Sequence, residues 1–103
     1  MSYTILSGGV GGAKLVSGFG ALINSAEVRV IANTADDFMH LGLNISPDID
    51  TLMYTLAGIA NPQTGWGIVD ETFSCMSALD ELDGAIWFRL GGKDLATHLQ
   101  RTT

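Results

Sequence analysis

LSGGVGGAKL, residues 6–15, sets four glycines around Val10 and follows them with Lys14, directly behind an apolar opening. Glycine tolerates positive φ and has no side chain to obstruct a ligand, so a glycine turn between strand and helix can aim backbone N–H groups at an anion. The helix N-terminus adds about half a positive charge. Phosphate binding is the natural use, but neither common motif fits. The dinucleotide fingerprint G-x-G-x-x-G needs a glycine where Lys14 stands, and the acid it expects after the second strand is Asn33. The P-loop pattern fails because Ala13 precedes Lys14 and Leu15 replaces the Ser or Thr that would reach Mg2+. The alternative is a tight turn needing small residues only for packing; four glycines and a lysine exceed that need. An anion site with its own details is expected, built from Gly8, Gly9, Gly11, Gly12 and Lys14.

Outward from this turn, residues 3–7 and 28–32 (VRVIA) are short apolar runs that read as strands of a buried parallel sheet. Between them, residues 13–23 place Leu15, Val16, Phe19, Leu22 and Ile23 at helical spacing, although Gly18 and Gly20 cost ~1 kcal/mol each against alanine. The unit is β-loop-α-β, and such crossovers are right-handed. A polar loop, NTADDFMHLGLN (33–44), precedes SPDIDTLMYTLAGIA (46–60). There Ser46 can cap, Pro47 suits the first helical position, and Ile49, Leu52, Met53, Leu56 and Ile59 form an apolar stripe. A third helix is predicted over 69–82, stopped by Gly84; AIWFRL (85–90) reads as a strand, and KDLATHLQR (93–101) opens a last helix. The class is α/β. The chain stops inside a helical pattern, and three strands are few for a sheet that wants both faces covered, so residues 1–103 are expected to be the N-terminal portion of a single domain.

Composition narrows the function classes. Five basic residues against 11 acidic ones give a formal charge of −6, and no Lys/Arg cluster exists to neutralise a phosphate backbone, which argues against nucleic acid. No apolar run approaches the ~18 residues of a spanning helix, and the N-terminus lacks the features of a signal peptide, so a cytoplasmic protein off the membrane is expected. Cys75, the single cysteine, reads as a buried thiol on one side of a helix. His40 and His98 share no metal-ligand spacing and read as solvated or singly hydrogen-bonded. Trp66 and Trp87 read as packing residues.

The carboxylates follow the second strand. Asp36 and Asp37 in NTADDF stand just beyond its carboxyl end, where ligands bind in open α/β sheets. Asp48 and Asp50 fall in the first turn of the next helix, two residues apart and so not on one face. Asp48 alone is explained by the helix dipole; Asp50 lies deeper. Mg2+ takes one or two carboxylates plus phosphate oxygens and water, so two acidic segments facing a phosphate-binding turn suit a metal-assisted site, with Asp37 and Asp48 as candidate ligands. Arg89, in an apolar run, is either an edge or ion-paired residue or a planar fork for phosphate or a polar ring edge.

GGVGGAK, NTADDF, HLGLNISPDIDTLMYTLAGIANPQTGWG and WFRLGGKDLATHLQRT resemble, in order and over nearly the whole chain, the start of the 2-phospho-L-lactate transferases of deazaflavin coenzyme F-420 biosynthesis. A related family of regulatory, nucleotide-sugar-binding proteins shares the glycine loop and the ADD signature but not SPDIDT and WFRLG. The resemblance implies a Rossmann-like, three-layer parallel-sheet enzyme, Mg2+-dependent and homodimeric. Such an enzyme moves a 2-phospholactyl or phosphoenolpyruvyl group from a guanosine diphosphate-linked donor to the deazaflavin precursor Fo and releases GMP. It places Asp50, as the catalytic residue, with Arg89, Asp48 and Thr51 on the acceptor side. It places the glycine loop, Lys14, Asn33 and Asp36 on the donor nucleotide and phosphates. Gly92 and Lys93 depart from the family pattern, in which an acid and an arginine are expected. The alternatives are a noncatalytic nucleotide-binding module and a fragment that is inactive alone.

Overall fold

The structure is a computed structural model that describes residues 2–24 and 27–103. Strands β1 (Tyr3–Ser7) and β2 (Val28–Ala32) pair in parallel, Tyr3 opposite Val28 through Ser7 opposite Ala32, and helix α1 (Gly9–Leu22) makes the crossover. This is the β-α-β unit read from the sequence, and the chain is α/β with the parallel pair and helices of a partial Rossmann-like domain. Ile5 and Ser7 are buried while their neighbours Thr4 and Leu6 are exposed, the alternation a pleated strand imposes when one face carries a helix. Ala13 and Val16 on α1 are the buried residues of that helix.

The polar loop after β2 holds structure that the sequence pattern did not reveal. Strand β3 (Phe38–His40) runs antiparallel to β4 (Leu43–Ile45), with Phe38 opposite Ile45. Leu41 and Gly42 turn the hairpin with φ of 52° and 74°, the positive pair that a two-residue turn of this hand requires. Helix α2 (Pro47–Leu56) begins where expected but ends four residues short of the predicted stretch, at Gly58 with φ 74°. Ser46 precedes it without capping it; its Oγ donates to Asp37 Oδ2 at 3.1 Å. A loop closed by the Ala60–Ile68 bridge follows, then α3 (Ser74–Glu81), which is shorter than the 69–82 expected and leaves Cys75 exposed rather than buried.

Residues 85–90 do not form the predicted strand. A strand needs a ladder for its N–H and C=O groups, and the described sheets are two-stranded pairs that exclude this segment. Only the end of the run packs: Leu90 is buried with Leu43, Ile45 and Met76, and Phe38, Phe73, Leu79, Phe88 and Leu95 surround them, while Ile86 and Trp87 stay exposed. Helix α4 (Gly92–Thr102) follows. Its first N–H groups are satisfied from a distance by Glu71, whose carboxylate accepts from Lys93 N at 2.9 Å and Asp94 N at 3.1 Å. Its last turn is tied to β4: Asn44 N donates to Thr102 Oγ1 and Arg101 donates to Asn44 O. The molecule is elongated, 53 × 25 × 21 Å, with a radius of gyration of 15.1 Å where about 13 Å would suit a compact chain of this length.

Helix α1 begins at Gly9, not at residue 13, so most of the glycine stretch is wound into its first turn. Two glycines there have structural reasons, one conformational and one steric. Gly9 has φ 70°, and a Cβ on Gly12 would lie 2.5 Å from Ser7 Oγ and 3.1 Å from Ser7 Cα. A Cβ on Gly11 would meet nothing within 4 Å. Gly12→Ala should therefore cost ~1–3 kcal/mol as an overpacked site, whereas Gly11→Ala should be neutral or gain up to about 1 kcal/mol from helix propensity. Urea denaturation of the two variants checks this, and equal shifts would contradict the packing assigned to Gly12.

Candidate functional site

The glycine turn opens toward the helix that carries the acids. Gly8 is extended (φ −143°, ψ 125°), and α1 behind it has no side-chain cap and no acid in its first turn, so its leading N–H groups are without side-chain partners. A Cβ on Gly8 would sit 3.6 Å from Asn33 Cβ and 3.8 Å from Asp48 Oδ2. Asn33 is held there twice, by its N–H donating to Ser7 O at 2.9 Å and by its Oδ1 accepting from Ala35 N at 3.0 Å. The bond from Ser46 to Asp37 pins the acidic loop to the start of α2. Gly8, Asn33 and Asp48 are thus brought together, with Asp37 anchored nearby, while Lys14 and Asp36 are exposed.

A cavity of about 300 Å³ lies on the far side of α2, and Asp50, Thr51 and Arg89 line it together with Trp66, Phe88 and His98. Three of the four residues expected to contact an acceptor therefore share one cavity; Asp48, the fourth, faces Gly8 instead. Asp50 and Thr51 are buried and Arg89 is exposed, its guanidinium stacked 3.7 Å over the Phe73 ring. Trp66 is 59% exposed and lines the cavity, which its reading as a packing residue missed. Trp87 is also largely exposed and meets His40 edge-on at 4.8 Å. The glycine turn and the cavity adjoin: Val10 packs so closely on Gly65, beside Trp66, that a Cβ there would be 2.6 Å from Val10 Cγ1.

Beneath the cavity runs a buried polar cluster. Arg101 donates to both Asp50 oxygens, His98 Nδ1 lies 3.6 Å from Asp50 Oδ2, and His98 Nε2 lies 3.4 Å from Asp94 Oδ1. Tyr54 donates to Asp94 Oδ1 at 2.6 Å. Both histidines were expected to be solvated or singly bonded; both are buried, His98 to 1% exposure with neither ring nitrogen hydrogen-bonded, and His40 among Phe38, Trp87 and Phe88. The sequence signal for His98 was its spacing from Asp94, four residues along one helix face with Arg101 three further on. Asp50, Asp94 and His98 present ligand atoms within 4.8 Å of one another and could hold a metal ion. Mg2+ itself demands oxygen donors, which fits Asp48 at the turn better than a set containing an imidazole.

Burial raises the Asp50 carboxyl above its ordinary value against the opposing pull of Arg101 and His98. Burial acts on Asp94 in the same sense, but His98 and the Tyr54 hydroxyl reverse it and the net shift is downward. Burial, with Asp94 beside it, pushes the Tyr54 phenol well above its usual range. The two carboxylates thus act oppositely on stability. Asp94 stabilises above its unfolded value, and this is lost as pH falls through its lower folded value; the Asp50 contribution is present below the unfolded value and is lost as pH rises through the folded one. The cost of Asp94→Asn, measured by urea denaturation in EDTA, should be larger at about pH 6.5 than at about pH 3. Equal costs at both would show that the Asp94 charge contributes nothing.

No helix among the described residues is long and apolar enough to cross a membrane. Residues 3–103 match the family described as 2-phospho-L-lactate transferase CofD. The chain is 45% identical to the phosphoenolpyruvate transferases of Streptomyces griseus and Streptomyces avermitilis over 103 residues, which is 99% of this chain and 32% of each relative. The phosphoenolpyruvate transferase of Mycobacterium tuberculosis is 43% identical over 116 residues, 99% of this chain and 35% of its own. The chain spans about a third of the length of the curated relatives it matches. With the family match running from Tyr3 to the last residue, the chain belongs to the CofD family of 2-phospho-L-lactate transferases.

Proposed function

We propose that this chain carries the acceptor cavity and part of the donor site of a transferase that moves a phosphoenolpyruvyl or 2-phospholactyl group from a guanosine diphosphate-linked donor to the deazaflavin Fo, releasing GMP. The relatives are named phosphoenolpyruvate transferases, which favours the enolpyruvyl donor. The enzyme is cytoplasmic and homodimeric in this reading. The observation that carries it is the opposition of the bare turn at Gly8 to the Asp48 carboxylate, with the cavity of Asp50, Thr51 and Arg89 on the other side of the same helix.

In this scheme the donor diphosphate lies against Gly8, Gly9, Gly11 and Gly12, where the leading N–H groups of α1 neutralise its charge. Lys14, Asn33 and Asp36 border the donor. Asp48, with Asp37 in the neighbouring acidic loop, would hold Mg2+, which would supply positive charge to the phosphate oxygens. Fo enters the cavity, where Arg89, stacked on Phe73, presents its fork to the polar edge of the ring system and Thr51 offers a hydroxyl. Asp50 orients the attacking hydroxyl, and its raised carboxyl value suits accepting that proton. Holding hydroxyl and phosphorus in line carries most of the rate, because little covalent chemistry falls to the protein.

Asp50→Asn retains an oxygen for Arg101 and removes the charge. In a polypeptide extended to the relatives' length, GMP release with Fo, donor and Mg2+ should fall by about 100-fold or more with the melting temperature little changed. Wild-type turnover in that variant would remove Asp50 from the mechanism. Absence of GMP release from the unsubstituted protein, with nucleotide still bound, would favour a noncatalytic binding module.

A further inference from the structure

We infer that Asp50, Asp94 and His98 form a binding site for a borderline divalent cation of the Zn2+ type, separate from the oxygen-donor position at Asp48. His98 is the residue that asks for a ligand. Its ring is 1% exposed, and both nitrogens are buried without a hydrogen bond, each facing a carboxylate at 3.4–3.6 Å. A buried imidazole in that state has given up its hydration, and neither carboxylate replaces it with a well-formed hydrogen bond. The charge count points the same way: two carboxylates face Arg101 and the His98 ring, so the cluster is short of positive charge unless that ring carries a proton or a metal ion. One imidazole nitrogen and two carboxylate oxygens form a mixed N/O donor set that selects Zn2+ over Mg2+.

The carboxylates are also held as metal ligands are held. Arg101 holds Asp50 most closely at Oδ1, its contact with Oδ2 being the longer at 3.4 Å and that oxygen also facing His98, and the Tyr54 hydroxyl fixes Asp94. All three residues line the cavity, so a bound cation would have a position open to a small ligand there. The inference does not depend on the transferase scheme, since it concerns metal affinity and not turnover.

Zn2+ titrated calorimetrically into the full chain, with Cys75→Ser to remove the exposed thiol, should bind one equivalent. His98→Asn and Asp94→Asn should each weaken binding by about 10-fold or more, and Asp48→Asn should leave it unchanged. Because either core variant could misfold, long-range 15N NMR of the histidine rings in the otherwise native chain provides an independent readout. One His98 ring nitrogen should move to a metal-bound shift when Zn2+ is added, and Mg2+ should not produce it. An absence of binding, binding that survives both core variants, or a His98 ring that keeps two N–H groups unaltered by Zn2+ would overturn the inference; the last would identify the missing charge as a proton.

Discussion

The join between α2 and α4 organises this molecule. Asp50 on α2 reaches Arg101 and His98 on α4, and Tyr54, one turn further along α2, donates to Asp94. On its other side α2 packs against α1 and β2. Helix α2 therefore touches the β-α-β unit on one side and is tied by side chains to α4 on the other. An apolar seam could hold two such parts together with less desolvation, and buried ion pairs of this kind are often stability-neutral against hydrophobic replacements. In the placement of α4 that the structure shows, Asp50 satisfies Arg101 and faces His98 at once. The cavity depends on that placement, because its walls come from both sides of the join.

The glycine turn shows how packing and ligand recognition divide a motif between them. Gly9 is required by its positive φ, and Gly12 by the closeness of Ser7. Gly8 and Gly11 have no such steric requirement. At Gly8 the space a side chain would take lies next to Asp48 and Asn33; at Gly11 it is open. A turn that existed only to join β1 to α1 would need the first pair. The second pair keeps backbone bare at an uncapped helix start, and this is the part of the motif that an anion would use.

Much of this was legible in the sequence, for reasons that also explain the misses. The β1-α1-β2 unit and α2 carry periodicity over enough residues to override local ambiguity, and the spacing of Asp48 and Asp50 already separated them onto different faces. The hairpin was hidden because its strands are three residues each and its turn puts Leu41 at positive φ, where asparagine or glycine is the usual signal. Residues 85–90 look like a strand because bulky apolar side chains also serve an irregular segment anchored at its end, here by Phe88 and Leu90. The histidines were misjudged because their surroundings come from distant chain: His98 meets Asp50, 48 positions earlier, and His40 meets Trp87. The Asp94–His98 spacing was visible, but its importance depended on which helix faced it.

The first turn of α2 is where these strands of argument meet. Successive helical residues are about 100° apart, so Asp48 and Asp50 point to nearly opposite sides of the helix. Asp48 reaches the Gly8 turn and Asp50 reaches the cavity and α4. One turn of helix thus presents one carboxylate to the glycine turn and another to the cavity. Pro47 and Thr51 lie between the two carboxylates on the helix surface, so the rigidity of the first turn fixes the separation of Asp48 and Asp50. Proline at the first helical position and the Ser46–Asp37 bond restrict that turn before any ligand arrives. Preorganisation of this kind lowers the entropic cost of alignment, which is why the two carboxylates are more informative as a pair set by helix geometry than as separate acidic residues.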